Sequence, residues 1–353
     1  MFQLRYQSYY YSTSQALPIL EELPEVAQVA FAFCRDWLAG QETFIQQTSG
    51  STGAPKLQVL SRTQMEASAA ATGAFFGTTT REHLLCCLNP SFIAGKMMLV
   101  RAMVWNCPIT LVEPSANPLL GLEEQFTFVA LVPLQVEAGL AEEKSRKLLQ
   151  SIPHVLIGGA ALPHKIQQGL VQQGIRAWQS FGMTETVSHI ALAPIEEGEL
   201  VYQALPGVAI GINEQDCLWI QSPMSGTEKI QTNDTIELRS KNSFTWIGRT
   251  DFVVNSGGIK LFPEQLEKKI NAWMTARYPG VPYFFFGEAD ERLGEHLVLY
   301  VEGEASQFNL EALEEGLKKL LGKFEVPKKI YILPRFTYTE TGKINRPVTA
   351  KKP

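Results

Sequence analysis

The run Thr48-Ser49-Gly50-Ser51-Thr52-Gly53-Ala54-Pro55-Lys56 places hydroxyls, glycines and a lysine side by side. That combination suits a polyphosphate. Glycines let backbone N–H groups close on an anion, serine and threonine add hydroxyl donors, and lysine adds a point charge. Pro55 precedes the lysine and biases Ala54 away from helical geometry, so this is not the Gly-Lys-[Ser/Thr] loop that runs straight into a helix. Taken alone, the segment also fits a polar hairpin between two apolar stretches.

Positioning such a loop requires a scaffold, and the flanking sequence reads as α/β. Thr43 to Gln47 reads as a strand entering the loop, and Ser61 to Phe76 as an alanine-rich helix. Leu84 to Leu88, Ile109 to Val112, Phe128 to Val132 and His154 to Ile157 are short apolar runs expected as buried strands, with Val136 to Gln150 helical between two of them. Two strands run into small-residue turns, Gly158-Gly159-Ala160-Ala161 and Phe181-Gly182-Met183-Thr184-Glu185. Ligands in open α/β sheets sit off the carboxyl ends of strands, which is where both turns fall. After Pro194 the pattern changes to short alternating strands, expected as a β subdomain. From Asp251 onward a helix (Pro263 to Met274), a strand pair, another helix (Asn309 to Leu321) and a last strand (Ile330 to Leu333) read as a small α+β module. The expected domains are 1–249 and 250–353.

Four motifs now stand in one order: TSGSTGAPK, SFGMTET (Ser180 to Thr186), WIGRTDFVVNSGGIKLFPEQLE (Trp246 to Glu267) and TETGKINR (Thr339 to Arg346). Together they resemble the adenylate-forming acyl-CoA synthetase superfamily over nearly the whole chain. That resemblance implies a large N-terminal α/β domain with a β subdomain and a small mobile α+β C-terminal domain. It also implies ATP, Mg²⁺ and coenzyme A as the small molecules handled. The implied chemistry joins a carboxylic acid to the α-phosphate of ATP, releasing pyrophosphate, and then lets a thiol expel AMP.

Roles follow from the resemblance residue by residue. Thr48, Ser49, Gly50, Ser51, Thr52, Gly53 and Lys56 would cradle the phosphates. Thr184 would donate to phosphate and Glu185 would hold the magnesium ion, a hard cation that prefers carboxylate and phosphate oxygens. Gly159, Ala160 and Ala161 would wall the adenine slot next to Gly182, and Phe181 would stack on the ring. Asp234 would accept from the ribose hydroxyls with Arg249 as second contact. The family usually has glycine where Asn233 stands. Asp251 is the implied hinge, Gly257, Gly258 and Lys260 the implied coenzyme A segment, and Lys343 the catalytic lysine that meets carboxylate and α-phosphate.

Within the superfamily, GMTETVSHIAL and FVVNSGGIKLFPEQLE look most like the o-succinylbenzoate–CoA ligases of menaquinone biosynthesis. Their acid carries a second carboxylate, so a cation is expected in the acyl pocket. Arg101 is the first candidate and Lys96 the second. His189 reads as a packed structural histidine, because a thiol near its own pKa needs little help from a base. Two rivals stay open: a ligase for another aryl or acyl acid, and a nucleotide-binding protein without turnover, against which Glu185 and Lys343 both argue.

Composition restricts the alternatives. With 353 residues, 45% of them hydrophobic, the chain can bury a large core, and a net charge of −5 without a basic run argues against nucleic acid as partner. No segment reads as an export signal or a membrane span, so the expected location is the cytoplasm. Five cysteines without CxxC spacing read as reduced core thiols. A homodimer is left open.

Overall fold

The computed structural model describes residues 1–13, 18–47, 57–226, 228–339 and 344–351. Strands β1 (Gln3–Tyr6) and β2 (Tyr9–Tyr11) come first, then helix α1 (Glu25–Leu38) and the hairpin β3 (Thr43–Gln47) and β4 (Leu57–Ser61). Helices and strands then alternate: α2 (Arg62–Phe76), β5 (Leu84–Cys86), α3 (Ile93–Trp105), β6 (Pro108–Leu111), β7 (Phe128–Leu131), α4 (Pro133–Ala141), α5 (Glu143–Ser151), β8 (His154–Ile157), α6 (His164–Gln172) and β9 (Ala177–Gly182). Next are β10 (His189–Pro194), β11 (Val201–Ala204), β12 (Ala209–Ile212), β13 (Cys217–Gln221), β14 (Ile230–Ser240) and β15 (Ser243–Arg249). The C-terminal part holds β16 (Val254–Ser256), β17 (Ile259–Leu261), α7 (Pro263–Arg277), β18 (Tyr283–Asp290), β19 (Gly294–Glu302), α8 (Leu310–Leu320), β20 (Lys329–Leu333) and α9 (Arg346–Thr349).

Among the described residues one sheet has thirteen strands, in the order β12-β13-β14-β15-β11-β10-β9-β8-β7-β5-β6-β1-β2. The stretch from β9 to β1 is parallel, and its central strands β5 and β7 are apolar throughout because helices cover both faces. Alternation along each strand divides the core. Leu84, Cys86, Phe128 and Leu156 face one cluster, packed with residues of α1, α2 and α3. Leu85, Val129, Val155 and Ile157 face the other, packed with α4, α5 and α6. The β-rich stretch expected as a subdomain joins this sheet edge to edge, since β10 pairs antiparallel with β9.

Local signals set several boundaries. Ser61 and Gln64 form a reciprocal capping box at the start of α2, and Gly77 ends that helix at φ +66°. The helix expected over Val136 to Gln150 breaks in two, because Glu142 is extended and its carboxylate accepts from Ser145 N–H at 2.7 Å as an N-cap. Among the described residues β3 pairs only with β4, so the strand entering the glycine-rich loop belongs to a separate hairpin. Phe44 and Leu60 on its inner face are buried, with Phe44 stacked on Trp37 at 5.5 Å, while Ile45, Leu57 and Val59 on its outer face are exposed.

The C-terminal sheet runs β17-β16-β19-β18, with β20 added parallel to β19. Leu266, Ile270, Leu313 and Leu317 of α7 and α8 pack on one face, and Phe284, Tyr300 and Phe336 fill the other. Gly316 is required there, since a Cβ would stand 2.1 Å from the Trp273 ring. The last buried residue of the large core is Phe244 and the first of the small one is Val254.

Candidate active site

The carboxyl ends of β8 and β9 lie side by side, with Ile157 in register with Gln179. Ser180 Oγ donates to the Ile157 carbonyl at 3.1 Å, and a Cβ on Gly158 would crowd that hydroxyl and force it out of this bond. Gly159 follows at φ +81°, and the Ala160 carbonyl accepts from Gln179 Nε2 at 3.1 Å. Gly159, Ala160 and Ala161 are exposed, leaving an open shelf at the strand ends. Phe181 is half-buried, edge-on to Phe244 and Tyr202 at 5.2 and 5.7 Å, so the contacts it makes are core contacts.

Beyond β9 the chain makes a single 3₁₀ turn, Thr184–Thr186. Thr186 is buried; its Oγ1 accepts from Met183 N–H at 3.2 Å and has one proton to share between the Ser188 carbonyl at 2.7 Å and the Met183 carbonyl at 2.9 Å. Val187 then adopts φ +64°, ψ −51°, and Ser188 N–H reaches the Thr186 carbonyl at 2.6 Å. This is a three-residue γ-turn, a strained geometry for a β-branched side chain. Gly182 closes the corner: a Cβ there would meet the Ser188 carbonyl at 2.3 Å and His189 Cα at 2.4 Å. The outcome is an exposed Glu185 held on a rigid turn, with no ion-pair partner among the described residues. One carboxylate at the mouth of a strand-end shelf suits a magnesium ion that takes its other ligands from phosphate and water.

Asp234 and Arg249 are paired across β14 and β15. Asp234 is buried; Trp246 Nε1 donates to its Oδ1 at 2.9 Å, and Arg249 Nη1 lies 3.7 Å from its Oδ2. Burial raises the Asp234 pKa, against the opposing pull of Trp246 and Arg249. Burial also works against the charge on Arg249, but Asp251, Asp234 and Glu264 outweigh it and raise its pKa. Asp251 lies on the 3₁₀ turn Thr250–Phe252, which joins the large sheet to the small one.

The two cations expected near the acid both project from α3, and their environments differ. Lys96 is half-buried, donating to Gln46 Oε1 at 2.8 Å with its ammonium 5.7 Å from the Phe33 ring. Arg101 is 2% exposed. Its Nη2 donates to Ser188 Oγ at 3.3 Å and its Nη1 to Met98 Sδ at 3.5 Å, while its buried Nε has no partner among the described residues. No carboxylate among those residues forms an ion pair with it, and burial lowers its pKa to about 10. His189 packs beside it, 3.1 Å from Thr72 Oγ1 and 3.3 Å from Ser188 Oγ. Burial and the neighbouring Arg101 hold its pKa well below the usual value, so the imidazole is neutral, as expected of a packed histidine.

In the C-terminal unit Gly257 and Gly258 form the two-residue turn between β16 and β17, at φ +58° and +86°. Both need the left-handed region, a reason for glycine that the sequence motif did not supply. Lys260 is exposed beside them. Residues 48–56 and Lys343 lie outside the described residues, but their flanks are well held. Gln47 and Leu57 pair directly on either side of the first segment, and Tyr338 bridges to Ile344 across the second. Arg346 Nη2 donates to Glu267 Oε2 at 2.8 Å and packs over Phe252 at 5.1 Å.

Sequence reasoning missed Trp246, Glu264, Glu267 and Arg346 as individual contributors. All four sit inside motifs, but nothing local marks their partners. Trp246 meets Asp234 only through strand register, and Arg346 meets Glu267 only through packing of the last helix on α7.

A doubly wound sheet with a glycine shelf and an exposed carboxylate at its strand ends, joined by one short turn to a small α+β unit, has the architecture of a nucleotide-handling enzyme. The profile of the family described as AMP-binding enzyme matches residues 15–217, more than half of the chain, and the chain belongs to that family. An acyl-CoA synthetase (AMP-forming)/AMP-acid ligase II-like protein from Dyadobacter fermentans is similar at 37% identity and TM-score 0.64, over 96% of each chain. The o-succinylbenzoate coenzyme A synthetase of Bacillus subtilis, solved with ATP and magnesium ion, shares the fold at 20% identity and TM-score 0.74, over 87% of this chain and 69% of that one. Among curated relatives, the 2-succinylbenzoate–CoA ligase of Listeria innocua is 24% identical over 92% of this chain and 73% of its own length. Among the described residues no helix is long and apolar enough to cross a membrane.

Proposed function

We propose that the chain is an ATP-dependent, AMP-forming acid–CoA ligase that works through an acyl adenylate, with o-succinylbenzoate as its acid. Family membership and the 2-succinylbenzoate–CoA ligase relatives support the reaction class. The observation that carries the choice of acid is Arg101: a buried guanidinium without a carboxylate partner among the described residues is costly, and a second carboxylate on the substrate would offset that cost.

In this reading residues 1–249 bind ATP and the acid, and residues 250–353 form the mobile domain. The carboxylate of the acid attacks the α-phosphorus, and the bond to pyrophosphate breaks. Thr48 to Lys56 would hold the phosphates, and Lys343 would neutralise the charge that builds where two anions meet. A magnesium ion bound at Glu185 would screen the phosphate oxygens. Gly159 to Ala161 and Phe181 would hold the adenine, and Asp234 with Arg249 the ribose. The thiolate of coenzyme A then attacks the acyl carbon, AMP leaves, and Gly257, Gly258 and Lys260 would line the approach of the thiol.

The test is acid-dependent exchange of pyrophosphate into ATP, run on a panel of carboxylic acids and followed by addition of coenzyme A. Exchange with o-succinylbenzoate and capture of its thioester are expected. Exchange with monocarboxylic acids alone would overturn the choice of acid; no exchange with any acid would overturn the ligase reading.

A further inference from the structure

The turn that joins the two sheets is tied to one residue of the large sheet, Asn233. Its side-chain Nδ2 donates to Asp251 Oδ1 at 2.9 Å, and its carbonyl accepts from Thr250 Oγ1 at 3.2 Å. The other carboxylate oxygen of Asp251 accepts from Arg249 Nε at 3.1 Å and Nη2 at 2.6 Å. Both oxygens of the turn's only carboxylate are therefore held by neighbours of Asp234, one from β14 and one from β15.

We infer that Asn233 is a positioning residue for the two-step reaction: its amide clamps Asp251 and so holds the small unit in the orientation seen here. The inference rests on the two-step ligase reading given above, and adds to it the device that sets how readily one orientation gives way to the other. Glycine at this position has no side chain and leaves Asp251 to Arg249 alone. Arg249 cannot serve as a dedicated clamp, because its guanidinium is also directed at Asp234. Among the described residues the Asn233 side chain bonds Asp251 alone. The clamp therefore persists when the ribose side of Arg249 is engaged, and reorientation must break the amide contact separately.

The experiment separates the two half-reactions and measures domain orientation independently. Adenylate formation from acid and ATP, and thioester formation from preformed adenylate and coenzyme A, are timed for the wild type, Asn233→Ala and Asn233→Asp. Spin labels at Lys147→Cys on α5 and Lys318→Cys on α8, both exposed positions, report the distance between the units in each protein. The native cysteines are buried. Losing one exposed hydrogen bond should shift the population of orientations about threefold to tenfold. Asn233→Asp, which sets two carboxylates against each other, should shift it further in the same direction. The two half-reaction rates should move in opposite directions, and Asn233→Ala should add nothing in an Asp251→Ala background. Equal slowing of both half-reactions, an unchanged distance distribution, or an undiminished effect in the Asp251→Ala background would overturn the clamp. If the wild type forms neither adenylate nor thioester the ligase reading fails, and the label distances alone still decide whether Asn233 clamps the turn.

Discussion

Arg346 donates to Glu267 at 2.8 Å, fastening the end of the lysine-bearing segment to helix α7. Burial raises the Glu267 pKa to about 7, against the opposing pull of Arg346. The ordinary value lies near 4.5, so the folded protein binds the Glu267 proton more tightly than the unfolded chain does. Stability contributed by this group is therefore full at low pH, falls as pH rises from about 4.5 to about 7, and is constant above that.

Glu267→Gln removes this titration. The difference in stability between wild type and variant should move against the wild type by at most about 3 kcal/mol across that window and then level off. Urea unfolding midpoints at half-unit pH intervals measure it. A difference that stays flat through the window would show that Glu267 does not titrate there.

Lys343→Ala should abolish adenylate formation while leaving thioester formation from a preformed acyl adenylate largely intact. Lys343 is assigned to the first step, where a carboxylate meets the triphosphate of ATP and the most negative charge converges on one phosphorus. Separate assays of the two steps check it, and equal loss in both would sink the role.

Arg101→Leu should raise KM for o-succinylbenzoate by roughly thirtyfold to a hundredfold, the loss expected for one charge-assisted hydrogen bond, and leave KM for ATP unchanged. An aromatic acid without the second carboxylate is the control and should barely respond. If both acids weaken alike, Arg101 supports the fold through Ser188 and Phe128 and does not contact substrate.

Gly182→Ala should destabilise the protein by about 1–3 kcal/mol, because the atoms that crowd the new Cβ are backbone of the neighbouring strand and cannot rotate away. Thermal unfolding measures the loss. A second readout is KM for ATP, which should rise because β9 and β10 must separate beside the turn that carries Glu185. An unperturbed melting temperature would mean that the corner is looser than its geometry indicates.

The sequence exposed the parallel half of the fold well. His154–Ile157 is a strand at the boundaries expected, since an apolar run bounded by polar residues has little freedom to be anything else. The Ser61 start of α2 was legible because its cap is local. Long-range register was not. No period in the sequence says that β3 leaves the main sheet for a private partner, that β10 stitches the antiparallel strands to the parallel ones, or that Trp246 reaches Asp234 across a ladder. The glycine shelf and Glu185 lie on turns at strand ends as expected, whereas Asp234 lies inside β14, and nothing in the motifs hinted that Asn233 and Arg249 share Asp251.

The γ-turn at Val187 puts two demands on one residue. Glycine would relieve the backbone there, but Val187 is fully buried in the main core, so the change would also strip out that packing and add freedom to the unfolded chain. The same freedom would let the short link between Thr186 and His189 sample other paths, and the turn that carries Glu185 would lose one of its two anchors. Valine at this position serves the core through its side chain and the aim of Glu185 through its strained backbone, and a residue chosen only for an easy turn would give up both.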